Sequence, residues 1–443
     1  MTGQALLKII QTSDIFGELY GPPGVETARR RYAGLIAGIQ EDFPGGFPGA
    51  DFPETRGELR VFTAAGRTEL GGNHTDHNWG KVLAASIQLD VVAVVAPRQD
   101  KRVFFRSAGF PDISVNLTGA DGSPDLAMRG DETGTTDSLV RGIAAELTRR
   151  GTAVGGFTAN LASTALPGSG LSSSAAVEAL LGKIFDNLYG GGKRSALELA
   201  QIGQIAENTY FGKPCGLEDQ IACAHGGAVA IDFGDPARPL VRPIRFDPEA
   251  AGYALCVADT RGSHADLTAD YAAIPAEMRA VAGLFGNEVL RELSLEQVLD
   301  RAAAIRQAAG DRALLRAIHF FNENRRVDAM LAALESNDIG GFLDLVNRSG
   351  NSSSQLLQNI YSPRQPAEQG ISTALALTQN FIETEAGGTG ACRVHGGGFA
   401  GAIQAYMPLD RMAAYRRRME AVFGNGAVTE LRIRPVGAAE LRF

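Results

Sequence analysis

Cysteine is scarce: four residues in 443, with no C-x-x-C pair among them. Cys215, Cys223, Cys256 and Cys392 therefore lack the spacing of a zinc site, and free buried thiols in a cytoplasmic protein are expected. Basic residues are not in excess. The 42 Lys and Arg against 50 Asp and Glu leave a net charge of −8, which argues against a nucleic acid held through its phosphates. The Arg-rich 411–418 is read as the solvated face of a terminal helix. No run approaches the roughly 20 apolar residues of a membrane span. The first residues lack the basic, apolar, small-residue order of a signal peptide, so none is expected. Repeats and low-complexity segments are absent. So are two catalytic signatures. No Gly-Lys-Ser/Thr ends a Gly-rich loop, as a Walker loop requires, and no G-x-S-x-G elbow follows a strand. Gly190-Gly191-Gly192-Lys193-Arg194 imitates the first, but it follows a helix and reads as a helix-breaking turn.

What remains is an ordinary soluble composition, 44% hydrophobic and 21% charged, in a chain long enough for two domains. The most informative segment is Ala165-Leu166-Pro167-Gly168-Ser169-Gly170-Leu171-Ser172-Ser173-Ser174-Ala175-Ala176. It follows an alternating strand at 157–162 and precedes a helical pattern at 175–188. Strand, Gly/Ser loop and helix start together make an anion site, because first-turn amides lack intrahelical partners and the helix dipole favours negative charge. An ordinary Ser-capped helix after a Gly turn is the alternative.

Elsewhere the patterning predicts helices at 25–39, 137–150, 195–211, 265–285, 295–309 and 313–335. Ser294 with Gln297 forms a capping box. Strands are predicted at 59–64, 228–232, 253–258 and 428–436, and a strand pair, 82–96 with 102–107, around the turn at 97–101. The Pro-rich 236–248 marks a domain boundary, giving an N-terminal domain 1–240 and a C-terminal domain 241–443.

Two further segments are dense in glycine and polar groups. Gly66-Arg67-Thr68-Glu69-Leu70-Gly71-Gly72-Asn73-His74-Thr75-Asp76-His77-Asn78 gathers donors and acceptors suited to sugar hydroxyls. A metal at His74 and His77 is the alternative, although no third soft ligand is near in sequence. Arg393-Val394-His395-Gly396-Gly397-Gly398-Phe399-Ala400-Gly401 has the His-Gly-Gly-Gly of a lipase oxyanion loop, but a hydrolase is excluded without a nucleophile elbow.

In order and content the three segments resemble the motifs of the GHMP small-molecule kinases, and within them the galactokinases. The stretch from Glu207 through Cys215-Gly216-Leu217-Glu218-Asp219-Gln220 is similar to that family's Cys-Gly-x-x-Asp-Gln segment. The first motif departs from the galactokinase signature: Glu69 stands where the family has Asn, Gly71 where it has Ile, Asn73 where it has an acid, and His77 where it has Tyr.

The resemblance implies an α+β, two-domain architecture with nucleotide and sugar at the domain interface, and ATP-dependent phosphorylation of galactose at its anomeric hydroxyl. It implies that Asp219 faces that hydroxyl with Arg67 as its partner. A carboxylate in reach accepts the proton of a poor nucleophile, and a guanidinium keeps it ionised. Whether Asp219 acts as a base or mainly orients the hydroxyl is open. Pro167, Gly168, Ser169, Gly170, Leu171, Ser172, Ser173 and Ser174 match the nucleotide loop. Ser174 and Glu207 match the Mg²⁺ ligands, a donor set suited to a hard ion. Asn73, His74, Asp76, Gly216 and Tyr271 match the sugar-binding positions. Asn73 is expected at the sugar's distal hydroxyl, where an amide would tolerate a uronic acid. A galacturonate or arabinose kinase is therefore the alternative enzyme, and a non-catalytic sugar sensor the alternative class. His395, where the family has Thr, reads as a loop-packing residue. The implied partners are a small sugar and ATP, with neither nucleic acid nor membrane. A monomer suffices, although nothing in the sequence sets the oligomeric state.

Overall fold

The computed structural model describes residues 1–41, 59–119, 121–165, 170–263 and 267–443. Its centre is an eight-stranded sheet organised by one long apolar strand. This strand, β2 (Lys81–Pro97), lies antiparallel to β1 (Arg60–Gly71). Beyond β2 come β5 (Phe157–Ser163), β3 (Arg102–Ser107) and β4 (Ile113–Asn116), and β12 (Ala439–Leu441) borders β1. The first residues of β2 pair instead with β6 (Ala228–Asp232), which carries β7 (Leu240–Ile244) at its edge.

The predicted pairing of β2 with β3 does not form. β5 lies between them, antiparallel to β2 and parallel to β3. The turn at 97–101 spends its hydrogen bonds on the start of β5: Arg98 N donates to Gly156 O at 2.9 Å and Gly156 N to Asp100 O at 3.1 Å. A side chain at Gly156 would run into the backbone of Asp100 and Arg102, so glycine lets the turn wrap this closely.

Helices Thr136–Arg149, Ser173–Phe185, Ala196–Ile205 and Glu218–His225 cover one face of the sheet over a core that includes Val140, Phe157, Leu180, Phe185 and Ile202. The other face is covered by Gly3–Ile10 and Ile15–Glu41, with Phe16, Tyr32 and Ile36 against Val92 and Val94. The second of these helices breaks at Gly21 (φ 67), ahead of Pro22 and Pro23, which lack the amide hydrogen a helix interior needs. A buried carboxylate ties this layer down. Asp90 accepts from Tyr20 Oη (2.6 Å), Thr63 Oγ1 (2.8 Å), Arg31 (2.5 Å) and Arg434 (2.6 Å). Burial alone would raise its pKa, but the two guanidiniums outweigh it and hold Asp90 below the usual aspartate value.

A second, antiparallel sheet runs β11 (Val428–Leu431), β8 (Tyr253–Asp259), β10 (Ala402–Pro408), β9 (Ala391–Val394). Helices Gly370–Thr384 and Met412–Phe423 pack on one side of it. On the other side one apolar layer, with Phe342 and Val346 of helix Ile339–Ser352, joins Leu70 and Leu83 of the first sheet to Leu255 and Tyr406 of the second. The expected boundary at 240/241 falls at the start of β7, a strand of the first sheet, and the chain returns to that sheet through β12. Composition marks a Pro-rich connection but carries no sign of a returning tail.

The predicted helix at 295–309 is two, Leu295–Asp300 with the expected capping box and Ala302–Ala309. That at 195–211 ends in a π-turn, Ala206–Phe211. Helices Ile339–Ser352 and Gly370–Thr384 are not among those predicted, although Asp338 caps the first and Phe342, Leu343 and Val346 give it one buried face. Among the described residues no helix is long and apolar enough to cross a membrane. All four cysteines are free; Cys215 is half-exposed and the other three are buried.

Candidate active site

β1 delivers the first functional side chain. Its register against β2 shifts between Ala65 and Gly66 and again between Glu69 and Gly71, and such bulges re-aim side chains. Between the two shifts Arg67 reaches across the domain. Its Nε donates to Asp219 Oδ1 at 2.6 Å and its Nη1 to Gly170 O at 2.6 Å. Ser172 Oγ donates to Asp219 Oδ2. Asp219 stands in the first turn of Glu218–His225, so sheet, Gly/Ser loop and helix meet at one carboxylate. The Arg67 side chain is 9% exposed, whereas Asp219 keeps 38%, so the ion pair opens to solvent on the carboxylate side. Desolvation would raise the Asp219 pKa, but Arg67 and the Ser172 hydroxyl overcome it and hold the group below the ordinary aspartate range. Arg67 stays charged; desolvation opposes this and Asp219 with Glu218 outweighs it.

The helix after the loop begins at Ser173. Ser172, at its N-cap, has a left-handed backbone (φ 54) and no side-chain cap bond, because its hydroxyl serves Asp219. Among the described residues no side chain thus caps the first-turn amides, the condition an anion site needs. Gly170, Leu171 and Ser172 are therefore bonded to Arg67 or Asp219, and Ser173 and Ser174 follow in the first helical turn; Pro167, Gly168 and Ser169 lie outside the described residues.

One turn below Ser174 the same helix carries Glu178, a lone acid in an apolar stretch that sequence reasoning passed over. It is fully buried, and its Oε1 has no partner among the described residues. Gln220 Nε2 bridges it to Glu207, at 3.1 Å from Glu178 Oε2 and 3.0 Å from Glu207 Oε2. Lys213 Nζ lies 2.9 Å from Glu207 Oε1. Burial and the Glu207 charge push the Glu178 pKa well up, and the Gln220 amide and Lys213 only partly offset them. The orphaned Glu178 oxygen and the all-oxygen donors Ser174, Glu178 and Glu207 fit a small hard cation. Among the described residues no cluster of three or more His, Cys, Asp or Glu forms a metal site by itself.

The sugar-motif residues gather on the other side of Arg67. Asp76 packs so closely on Gly216 that any side chain there would overlap its Oδ2. His74, in a left-handed conformation (φ 57), lies with Nε2 2.9 Å from Gly397 O, and its ring stacks on His77 at 6.0 Å. Burial, His77 and nearby cations push its pKa down to about 3, so the ring is neutral and its Nε2–H donates to the Gly397 carbonyl. Tyr271 Oη donates to Gly398 O at 2.9 Å, and its ring meets Phe399 edge-on. The Gly-rich segment 396–398 therefore braces both His74 and Tyr271.

Asn73 does not match its expected setting at a sugar's distal hydroxyl. It is fully buried and its amide is used within the protein. Nδ2 donates to Gly396 O (2.8 Å) and to Glu69 (3.2 and 3.3 Å), and Oδ1 accepts from Asn359 (2.9 Å) and Ser353 (3.2 Å). Glu69 in turn pairs with the buried Arg393. The two departures from the signature, acid at 69 and amide at 73, are thus one exchanged pair in contact. We expect Asn73→Glu, which sets two carboxylates together in the interior, to cost about 1–3 kcal/mol of stability. In urea unfolding the Glu69→Asn/Asn73→Glu double variant should recover at least half of that loss; additive losses would show that the pair is not coupled.

Residues 138–227 match the family model described as the GHMP kinases N terminal domain, and residues 50–97 match the galactokinase galactose-binding signature. The chain is 32% identical over 377 residues to a galactokinase of Streptomyces coelicolor, covering 84% of this chain and 91% of that one. It is 32% identical over 404 residues to a galactokinase of Mycobacterium tuberculosis, covering 86% and 99%. Among solved structures, Lactococcus lactis galactokinase complexed with galactose superposes with a TM-score of 0.72 at 25% identity, covering 92% of this chain and all of that one. Methanococcus jannaschii mevalonate kinase shares the fold at a TM-score of 0.58 and 14% identity. With these similarities over most of its length, and with Arg67, Gly170 and Asp219 joined as described, the chain belongs to the galactokinase family of the GHMP kinases.

Proposed function

We propose that the protein transfers the terminal phosphoryl group of ATP to the C1 hydroxyl of D-galactose, giving galactose 1-phosphate and ADP. The observation that carries this reading is the junction of Arg67, Asp219 and Ser172 beside an uncapped helix start. Asp219, held ionised, orients the C1 hydroxyl and takes its proton as the bond to phosphorus forms. Arg67 holds that carboxylate and neutralises charge on the moving phosphoryl group. Amides and hydroxyls of residues 170–174 hold the nucleotide phosphates. His74, Asp76, Gly216 and Tyr271 line the sugar side, where a neutral His74 with its Nδ1 as acceptor suits a hydroxyl. Ser174 and Glu207, with Glu178 joined to Glu207 through Gln220, would hold Mg²⁺, which would supply charge neutralisation on the phosphates. We read the site as lying between an N-terminal and a C-terminal domain of a cytoplasmic enzyme whose partners are the sugar and ATP.

The pH profile follows. Asp219 is ionised above its depressed pKa, and His74 is neutral above about 3. Neither group titrates near neutrality, so kcat/KM should be flat from about pH 5.5 to 8 and fall on acidification only below roughly pH 4. A limb near pH 6.5 would assign the essential group elsewhere. The test of the whole reading is ADP release across galactose, galacturonate, arabinose, glucose and N-acetylgalactosamine. Galactose should give the highest kcat/KM, and a preference for galacturonate would overturn the substrate assignment.

A further inference from the structure

One buried nitrogen beside the phosphate loop has no task in this mechanism. His395 is 3% exposed. Its Nε2 lies 3.0 Å from Thr68 Oγ1, and its Nδ1 is buried without a partner among the described residues. Three neighbours fix where the ring proton sits. Gln404 Nε2 donates to the Glu69 carbonyl at 2.8 Å, which settles which end of that amide is nitrogen, and to Thr68 Oγ1 at 2.8 Å. Thr68 therefore accepts from Gln404, and among the described residues the acceptor in reach of its own hydroxyl proton is His395 Nε2. The neutral imidazole is left with its hydrogen on Nδ1. Burial, with Arg67 and Arg393 nearby, pushes the pKa of His395 well below 6.5, so a second proton does not join.

That Nδ1–H is directed at the loop. A Cβ at Gly170 would lie 3.2 Å from it, and the Gly170 carbonyl is the one that Arg67 Nη1 holds at 2.6 Å. A fixed neutral donor, the Arg67 guanidinium and the uncapped helix start thus converge on the same few residues. We propose that His395 Nδ1–H donates a hydrogen bond to a non-bridging oxygen of the nucleotide's terminal phosphoryl group, making His395 a further catalytic residue of this chain. The assignment rests on residues 170–174 being the nucleotide loop, as proposed above. A neutral donor adds a hydrogen bond to the phosphoryl group without placing another cation beside Arg67 and Arg393.

Two substitutions separate the ring nitrogens. His395→Asn keeps an amide N–H near the position of Nδ1 and loses the Thr68 contact; His395→Gln reaches Thr68 and loses the loop-facing donor. Without sugar, the affinities for Mg²⁺-bound AMP-PNP and for Mg²⁺-bound ADP are compared. In His395→Gln the triphosphate analogue should weaken by about ten- to hundredfold relative to ADP, the effect of losing a hydrogen bond to a charged group. His395→Asn should recover most of that difference, and kcat should follow the same order. If His395→Gln does not fold, Thr68→Val serves, because it frees the tautomer and should reduce the same preference. An unchanged preference, equal losses in the Asn and Gln variants, or equal weakening of both nucleotides would make His395 a packing residue and overturn the proposal. A wild-type protein that shows the His395-dependent preference but phosphorylates no galactose would overturn the substrate reading alone.

Discussion

Asp219→Asn is expected to lower kcat by roughly 10²–10⁴-fold, with ATP affinity within about threefold of wild type. The substitution keeps the shape of the side chain and an oxygen that can face Arg67, and removes the negative charge. In the wild type that charge is maintained against desolvation by Arg67 at 2.6 Å and by Ser172. A group whose ionisation is defended in this way, yet keeps 38% of its side chain exposed, is placed to meet an incoming hydroxyl. The split between a large loss in kcat and a small change in nucleotide binding separates a role in the reaction from a role in the fold. Near-wild-type kcat in a folded variant would remove Asp219 from the mechanism.

Gly170→Val should weaken ATP binding by about a hundredfold, because two costs fall on one position. The backbone there is left-handed (φ 72), a conformation that costs a β-branched residue roughly 1–3 kcal/mol. The new side chain would also enter from 3.2 Å against His395 Nδ1. Loop movement to relieve either cost displaces the Gly170 carbonyl from Arg67, so turnover should fall with affinity. Gly170→Ala, free of β-branching, should lose less. Isothermal titration with ATP compares the three proteins, and unchanged affinity in the Val variant would place the phosphates elsewhere.

Local chemistry made much of this site legible. The strand, Gly/Ser loop and helix around Gly170 could be read as a unit because they are contiguous. Arg67 and Asp219, 152 positions apart, could be read as partners only through the family resemblance, and they meet. Failures occurred where distant residues decide the outcome. Asn73 was assigned by its position in the signature, but Ser353 and Asn359, which occupy its carbonyl oxygen, come from a helix end that no short-range signal marks. β5 slipped between β2 and β3 because the turn at 97–101 bonds to Gly156 rather than closing a hairpin. The return of β12 to β1 depends on Arg434 reaching Asp90, a contact across 344 positions. Glu178 had a usable signal, a single acid four residues past Ser174 in an apolar helix, whereas the direction of the His395 ring depends on Gln404 and Thr68, which only the tertiary structure brings together.

Phosphoryl transfer to the anomeric oxygen of galactose is the reaction proposed for this site. It is tested most directly by incubating the protein with ATP, Mg²⁺ and galactose and following the product by ¹H and ³¹P NMR. One sugar phosphate should form per ADP, with the anomeric proton coupled to phosphorus, and 1-deoxygalactose should give no product. A phosphate on any other oxygen, or turnover of 1-deoxygalactose, would contradict it.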